Sequence, residues 1–286
     1  MRTLVIGAAG HAAGEVVPAL HSRGAWVRGM VRRDAQRALV QSRGAAEVVL
    51  GDLRDRRTID SAMADIQAVF YIAPAFLPDE AAVGVQVIDA AVRAGVRRVV
   101  FSSVIHPSLS LINHRAKAPV EEALYDSGLE YTVLQPALFF QNFAGGWERT
   151  LATGVLAEPW SSRTRFSRVD YRDVADAAAI ALTEDRLLAG TYELAAPGHL
   201  DRHDVAALIG EVTGRRIRAE RTDPAQLDVA EPMRAMFSHY DHAGLLSNPL
   251  ALAIILQRDP RTLRDYFEQL NSANPIDDPT AEQEQS

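Results

Sequence analysis

The sequence predicts an α/β fold, a doubly wound parallel sheet with a smaller mixed lobe toward its carboxyl side, and two observations predict it. Between residues 4 and 134, short apolar runs rich in β-branched residues alternate with alanine-rich helical stretches. The runs are continuous hydrophobes, the pattern of parallel strands covered by helices on both faces. Leu4 to Ile6, Trp26 to Val31, Val48 to Leu50, Val69 to Ile72, Val99 to Phe101 and Tyr131 to Leu134 supply six strands of βαβ units in about 135 residues.

After Pro136 the rhythm changes. The stretch Phe139 to Trp160 is rich in Phe, Gly and Trp and reads as loop-like, bulky enough to wall a pocket. A helix over Tyr171 to Thr183 and a strand over Thr191 to Leu194 return to the sheet. Beyond Pro197 the pattern gives a helix near Arg202 to Thr213, a short strand near Arg216 to Glu220, and helices around Ala225 to Ser238 and Leu250 to Leu270. The expected organisation is a core over 1–138, completed by about 165–195, with 139–164 and 196–270 forming a substrate-binding lobe on the carboxyl edge of the sheet. The polar, acidic tail 271–286 reads as disordered.

Composition narrows the function. The chain has 286 residues, long enough to bury a large core, and 30 Lys and Arg against 37 Asp and Glu give a net charge of −7. That balance repels a phosphate backbone and argues against nucleic acid as a partner. The absence of cysteine removes disulfides, thiolate nucleophiles and cysteine-ligated zinc. Neither a signal-peptide core nor a membrane-length apolar run is present, so the reading is a cytoplasmic protein, a monomer or weak homodimer, acting on a small molecule.

The first strand ends at Gly7 and helical periodicity begins about His11, which puts Gly7-Ala8-Ala9-Gly10-His11-Ala12-Ala13-Gly14 at a strand-to-helix junction. Small residues there admit a pyrophosphate to the backbone, and the free amides of the helix start supply donors and a favourable dipole. This is the dinucleotide turn of a Rossmann sheet. The end of the second strand selects the cofactor, because an acidic residue there binds a ribose diol whereas arginine accommodates a 2′-phosphate. Here the strand ends in Arg32-Arg33, which favours NADP(H); the competing reading is two solvated surface arginines. Asp52, in Gly51-Asp52-Leu53, is suited to accept from an adenine amino group, to cap a helix, or both.

With Val5-Ile6-Gly7-Ala8-Ala9-Gly10, Val31-Arg32-Arg33-Asp34, Gly51-Asp52-Leu53, Phe101-Ser102-Ser103, Lys117 with Glu121, Ser127 to Thr132 through Pro136 and Asn142, and Val169 to Ala175, the chain resembles the NmrA-like group of atypical short-chain dehydrogenase/reductases. The resemblance spans residues 1 to about 270. It implies NADPH-dependent reduction of quinones, dyes or polyketide-type carbonyls, or dinucleotide binding that regulates without turnover. Two departures stand out. Ala13, with Gly14 beside it, replaces the third family glycine, and Gln135 stands where many relatives carry arginine before Pro136.

In ordinary short-chain dehydrogenases a tyrosine four residues before the lysine protonates the carbonyl oxygen. Counting back from Lys117 reaches Asn113, whose amide is far too weak an acid. The resemblance still implies that Lys117 binds the nicotinamide-ribose hydroxyls and lends positive charge near a developing alkoxide. Ser102 and Ser103 follow the fifth strand, where a hydroxyl either meets cofactor or substrate or caps the departing chain. His106 and His114 flank the same segment and suit proton relay or plain structural hydrogen bonding. The expected catalytic set is Lys117, Ser103 and His106. The expected cofactor contacts are Gly7, Ala9, Gly10, His11, Ala12, Arg32, Arg33, Asp52, Leu53, Ala73, Pro74, Ser102, Lys117 and Pro136.

Flat aromatic substrates stack on rings, so substrate contacts are sought in Phe76, His114, Phe139, Phe140, Asn142, Trp147 and Trp160, the alternative being that the rings are lobe core. His199 with His203 and His239 with His242 lack a third ligand in any recognised motif, so no metal is expected. Asp170 and Asp173 open a helix, where carboxylates are favourable. The function expected is an NADPH-dependent ketoreductase or quinone reductase for a flat hydrophobic, aromatic or polyketide-like carbonyl, acting without the tyrosine acid. The alternative is a non-catalytic NADP(H)-sensing regulator acting through a protein partner; a nucleotide-sugar epimerase or dehydratase ranks last because it also needs that tyrosine.

Overall fold

The computed structural model describes residues 1–74 and 76–273. In chain order the first half comprises β1 (Arg2–Ile6), α1 (His11–Ser22), β2 (Trp26–Val31), α2 (Arg37–Ser42), β3 (Glu47–Leu50), α3 (Arg56–Ala62), β4 (Ala68–Ile72), α4 (Glu80–Arg93), β5 (Arg98–Ser102), α5 (Ile112–Arg115), α6 (Ala118–Asp126) and β6 (Glu130–Pro136). The second half comprises β7 (Leu138–Phe139), α7 (Trp147–Thr153), β8 (Val155–Glu158), β9 (Arg168–Val169), α8 (Tyr171–Thr183), β10 (Gly190–Leu194), α9 (Arg202–Thr213), β11 (Arg218–Arg221), α10 (Glu231–Tyr240), α11 (Leu250–Leu256) and α12 (Leu263–Ala273).

All six expected strands form, and β10 joins them in a seven-stranded sheet ordered β10-β6-β5-β4-β1-β2-β3, with every pairing parallel. The order reverses direction beside β1, which opens a crevice at the carboxyl ends of β1 and β4. Alternate residues of each strand feed opposite cores. Val5, Val27, Phe70 and Val100 meet α1, α8 and α11, whereas Leu4, Ile6, Val69 and Phe101 meet α3, α4 and α6. Burial on both faces is why the strands read as unbroken hydrophobes.

The expected helix Tyr171 to Thr183 and the helix Arg202 to Thr213 form over those residues. Others differ for identifiable reasons. The stretch from Phe139 is not a loop: it holds β7, a 3₁₀ turn over Phe140–Gly146, α7 and β8. Phe140, Phe143, Trp147 and Leu151 recur at helical spacing and are all buried, a period that Gly145 and Gly146 obscured. Leu250 to Leu270 is two helices, because Gln257 adopts a left-handed conformation (φ 54°) and Pro260 prevents continuation. Pro224 and Pro232 likewise divide the expected Ala225 to Ser238 helix into a 3₁₀ turn and α10. Residues 271–273 of the expected disordered tail end α12, and 274–286 lie outside the described residues.

Two apolar clusters underlie the segments beyond the sheet. One joins Phe140, Phe143, Trp147 and Leu156 to Val205, Ile209 and Phe267. The other packs Ile105 and Ala137, which leave β5 and β6, against Phe166, Tyr240 and Leu245. The second cluster thus sits on the carboxyl edge of the sheet. Asp173 locks α8 to the α11–α12 connection by accepting from Arg258 Nη2 (2.8 Å) and Arg261 N (2.7 Å). Among the described residues no helix is long and apolar enough to cross a membrane.

Candidate dinucleotide and substrate site

A cleft of about 800 Å³ opens at the crevice beside β1. Its floor is the glycine-rich turn. Gly7 sits at φ +71°, the left-handed region that disfavours a side chain, and its carbonyl accepts from Gly10 N at 2.8 Å. Helix α1 then starts at His11 with no side-chain cap, so its first amides face the cleft without intrahelical acceptors. Gly14 is the close-approach position: an added Cβ would lie 3.2 Å from Ala8 O and 1.7 Å from Arg43 Nη1. The neighbouring Ala13 is buried with its methyl accommodated, so the departure at the third family glycine shifts the small-residue requirement by one position.

One end of the cleft is lined by Arg32, Arg33, Gln36 and Asp52 at the carboxyl ends of β2 and β3. Both arginine side chains are exposed, and among the described residues neither forms an ion pair. Asp52 does not cap a helix. Its Oδ1 accepts from Arg54 N (2.9 Å), while Asp55 caps α3 by accepting from Arg57 N, because the helix begins three residues later than the Asp52 alternative required. The other end, past β4, is lined by Ile72, Ala73, Pro74, Phe139 and Tyr171, with the Phe139 and Tyr171 rings 4.3 Å apart. Burial raises the pKa of the Tyr171 phenol. Sequence reasoning missed Gln36 and Tyr171 as lining residues, and Arg43, whose guanidinium lies behind the turn (3.4 Å from Ala8 O). Gly14, a glycine inside a helix, was the available signal for Arg43.

Of the expected cofactor contacts, Gly7, Ala9, Gly10, His11, Ala12, Arg32, Arg33, Asp52, Ala73 and Pro74 line this cleft together. Leu53 is turned against the core beneath β4 instead. Pro136 is buried in β6, where its carbonyl accepts from Ile105 N (3.1 Å). Ser102 is fully buried beside Ile72, its register partner on β4, and its hydroxyl has no hydrogen-bond partner among the described residues.

The expected catalytic set does not converge on the cleft. Lys117 is only 7% exposed and its ammonium is paired with Glu80, itself 2% exposed, an arrangement that offsets the desolvation of both charges. Glu80 lies at the start of α4, far away in sequence, and nothing local marks it. Ser103 Oγ donates to Glu121, which also accepts from Gln135 Nε2 (3.0 Å) and the Tyr125 hydroxyl (3.2 Å). His106 has positive φ (52°) and its Nε2 lies 3.5 Å from Glu193. Asn113 Oδ1 is buried without a partner among the described residues.

Most of the expected substrate wall lies elsewhere. His114 is 1% exposed and its Nδ1 bonds Ile105 O (2.8 Å); burial lowers its pKa and keeps it neutral, a structural role in place of substrate contact. Phe140 packs on Tyr266 and Trp147 stacks on Phe267 in lobe core, and Trp160 packs among Phe166, Phe237 and Tyr240. Asn142 borders a different cavity. Phe76 is an exposed residue after β4 with φ 57°. Phe139 alone of the set lines the cleft. The rings were correctly seen as bulky, but bulk with helical spacing makes core. Of the histidines weighed as ligands, His199 Nε2 meets Ser247 O and His203 Nε2 meets Ser162 Oγ, while the His239 and His242 rings lie 6.0 Å apart.

Known proteins agree with this architecture. The chain is 30% identical over 217 residues to the NAD(P)H azoreductase of Xenophilus azovorans, covering 75% of each protein. It is 31% identical over 222 residues to the (4-alkanoyl-5-oxo-2,5-dihydrofuran-3-yl)methyl phosphate reductase of Streptomyces griseus subsp. griseus, covering 76% of each. In three dimensions it is similar to an Escherichia coli NADPH-dependent quinone oxidoreductase complexed with NADPH, with TM-score 0.83, 22% identity and coverage of 94% and 99%. It is also similar to a Citrobacter sp. triphenylmethane reductase, with TM-score 0.84, 20% identity and coverage of 95% and 100%. The model of the NmrA-like family matches residues 1–264. The chain belongs to the NmrA-like family.

Proposed function

We propose that this protein is an NADPH-dependent reductase of a flat hydrophobic carbonyl or quinone, aromatic or polyketide-like. The observation that carries the reading is the pairing, in one cleft, of an uncapped helix start over a glycine-rich turn with two exposed arginines at the end of β2 that form no ion pair among the described residues. The residues fit NADP(H). The amides of His11 and Ala12 suit the pyrophosphate, Arg32 and Arg33 the 2′-phosphate, and Asp52 the adenine amino group. Bound there, the cofactor supplies a hydride.

The chain's own contribution is orientation and exclusion of water. Phe139 and Tyr171, whose rings meet at 55°, offer aromatic surface at the far end from the arginines, suited to contact with an aromatic ring. Proton delivery does not fall to position 113, where the asparagine is no acid. The names of the azoreductase, the furanone phosphate reductase, the quinone oxidoreductase and the dye reductase support a reductase of conjugated small molecules.

The second reading, an NADP(H) sensor without turnover, draws on one observation: the Lys117 ammonium is occupied by Glu80 outside the lining of the cleft. Absorbance at the NADPH band, followed with a panel of quinones, azo dyes and aromatic ketones, separates the two. The reductase reading expects oxidation above background and faster with NADPH than NADH. A flat trace across the panel, with NADPH and NADP⁺ binding at different affinities by calorimetry, would replace it with the sensor.

A further inference from the structure

The dinucleotide cleft holds few side chains able to give up a proton, and they divide between its ends. Arg32, Arg33, Gln36 and Asp52 stand at the carboxyl ends of β2 and β3. His11 opens α1 over the glycine-rich turn, the place that the proposed function gives to the pyrophosphate. Past β4 the described lining is Ile72, Ala73, Pro74, Phe139 and Tyr171, and among these the Tyr171 phenol is the one acid.

Three observations set that phenol apart from a ring that merely packs. Its hydroxyl has no hydrogen-bond partner among the described residues, and unlike the enclosed Tyr71 and Ser102 hydroxyls it keeps contact with solvent, through the cleft that the residue lines. Its backbone is held firmly. Tyr171 opens α8, Asp170 caps that helix by accepting from Arg172 N (2.8 Å), and the Gln141 amide bridges both, accepting from Tyr171 N (3.1 Å) and donating to Asp170 Oδ1 (3.1 Å). Its ring rests against Phe139, the centroids 4.3 Å apart. A group fixed in this way has its geometry set before reaction, as proton transfer in a transition state requires. Burial raises the pKa of the phenol, so it carries its proton throughout the neutral range.

We propose that Tyr171 takes the place of the tyrosine missing at position 113, as proton donor to the substrate oxygen, and that the site is accordingly built for ketones rather than quinones. The inference rests on the reductase reading, which supplies the reductant. As the carbonyl carbon gains a hydride from the reduced nicotinamide, the C=O π pair moves to oxygen. The Tyr171 O–H bond breaks, its proton forms the new O–H bond of the alcohol, and its electron pair stays behind as phenolate until water returns a proton. An alkoxide is a far stronger base than a phenolate, so this transfer runs downhill and lowers the barrier. A quinone leaves a hydroquinone monoanion, itself a phenolate, which gains little from a second phenol.

The test compares the wild type with Tyr171→Phe, which keeps the ring and removes a hydroxyl that has no partner in the described fold; its Tm should stay within about 2 °C of wild type. With NADPH and aryl ketones such as acetophenone, kcat should fall about a hundred- to ten-thousandfold. With 1,4-naphthoquinone it should change by less than about threefold. A second measurement needs no turnover. Calorimetry of acetophenone on the NADP⁺-loaded chain, where no hydride is available, should show binding weakened about two- to tenfold by the substitution. α-Methylstyrene, which carries a methylene in place of the oxygen, should bind both proteins alike. Ketone rates in Tyr171→Phe within about threefold of wild type, equal losses for ketone and quinone, or unchanged acetophenone binding would each overturn the inference and leave the reductase reading standing. Wild-type turnover of quinones with no ketone reduced would do the same, whereas no turnover of any substrate would remove both.

Discussion

The sharpest consequence of the cleft concerns Arg32 and Arg33. Both guanidinium groups are exposed and, among the described residues, carry no carboxylate partner, so replacing them by alanine breaks no ion pair there. On the proposed reading, what is lost is two charge-assisted contacts to a 2′-phosphate. Hydrogen bonds to charged groups contribute about 1.5–3 kcal/mol, and solvent screening at exposed sites brings each arginine to about 1–2 kcal/mol. The double substitution should therefore weaken NADPH by about 2–4 kcal/mol, roughly 30- to 1,000-fold. NADH, which lacks the phosphate, should be unaffected. Titration of both cofactors by fluorescence, repeated at low and high salt, reads this directly, and wild-type preference for NADPH should shrink as salt rises. Equal losses for the two cofactors would mean that the arginines hold the fold or the adenosine generally, and no loss for either would leave the second strand's end without a role in selection.

Three further outcomes follow from the geometry. Gly7→Ala puts a side chain at φ +71°, at a cost of about 1–2 kcal/mol, and should lower Tm by a few degrees and weaken both cofactors alike. Asp170 is fully buried; burial opposes its ionisation, but hydrogen bonds from Arg172 prevail and hold its pKa below the usual carboxylate value. Its stabilising contribution is complete above the unfolded-state pKa and disappears as pH falls through the lower folded value. Asp170→Asn, which still caps α8, should thus lie closest to wild type in strong acid, fall behind as pH rises and reach its full deficit by about pH 4, as chemical denaturation at several pH values would show. Lys117→Met leaves the Glu80 carboxylate buried and alone and should cost about 3–5 kcal/mol, whereas Lys117→Met with Glu80→Leu should recover much of it. If the recovered double variant also turns over at the wild-type rate, Lys117 has no part in the chemistry.

The sheet was legible because its strands are covered on both faces, so burial is written into sequence as runs that need no partner to be recognised. The glycine-rich end of the cleft was legible for a similar reason: the backbone between Gly7 and His11 forms it, and backbone geometry is set by local residues. The substrate side was not. Phe140, Trp147 and Trp160 announce bulk but not direction, and the direction comes from Phe267 and Tyr240, which lie about a hundred residues downstream in sequence. Lys117 could be found from its motif, yet its electrostatic state depends on Glu80, which only the packing of α4 against α6 brings near.

Gln135 shows how one such departure propagates. An arginine before Pro136 would face Glu121 as a charged partner, but glutamine supplies only a neutral amide donor at 3.0 Å. Glu121 is therefore a buried carboxyl group served by Gln135, the Ser103 hydroxyl and the Tyr125 phenol, with no cation in ion-pair contact among the described residues. The hydroxyl that sequence nominated for substrate contact is thereby committed to Glu121, and the lysine nominated beside it is committed to Glu80. Both polar groups are held by partners inside the fold, and neither lines the cleft. A carbonyl reduced here must then draw its proton from a group that does line it, from water, or from its own acidic substituent. A substrate with an internally hydrogen-bonded hydroxyl meets that requirement without help from the protein. Rates that rise with the acidity of such a hydroxyl across a substrate series, and that vanish when it is methylated, would identify the substrate as its own proton donor; equal rates for the methylated series would return the task to the protein.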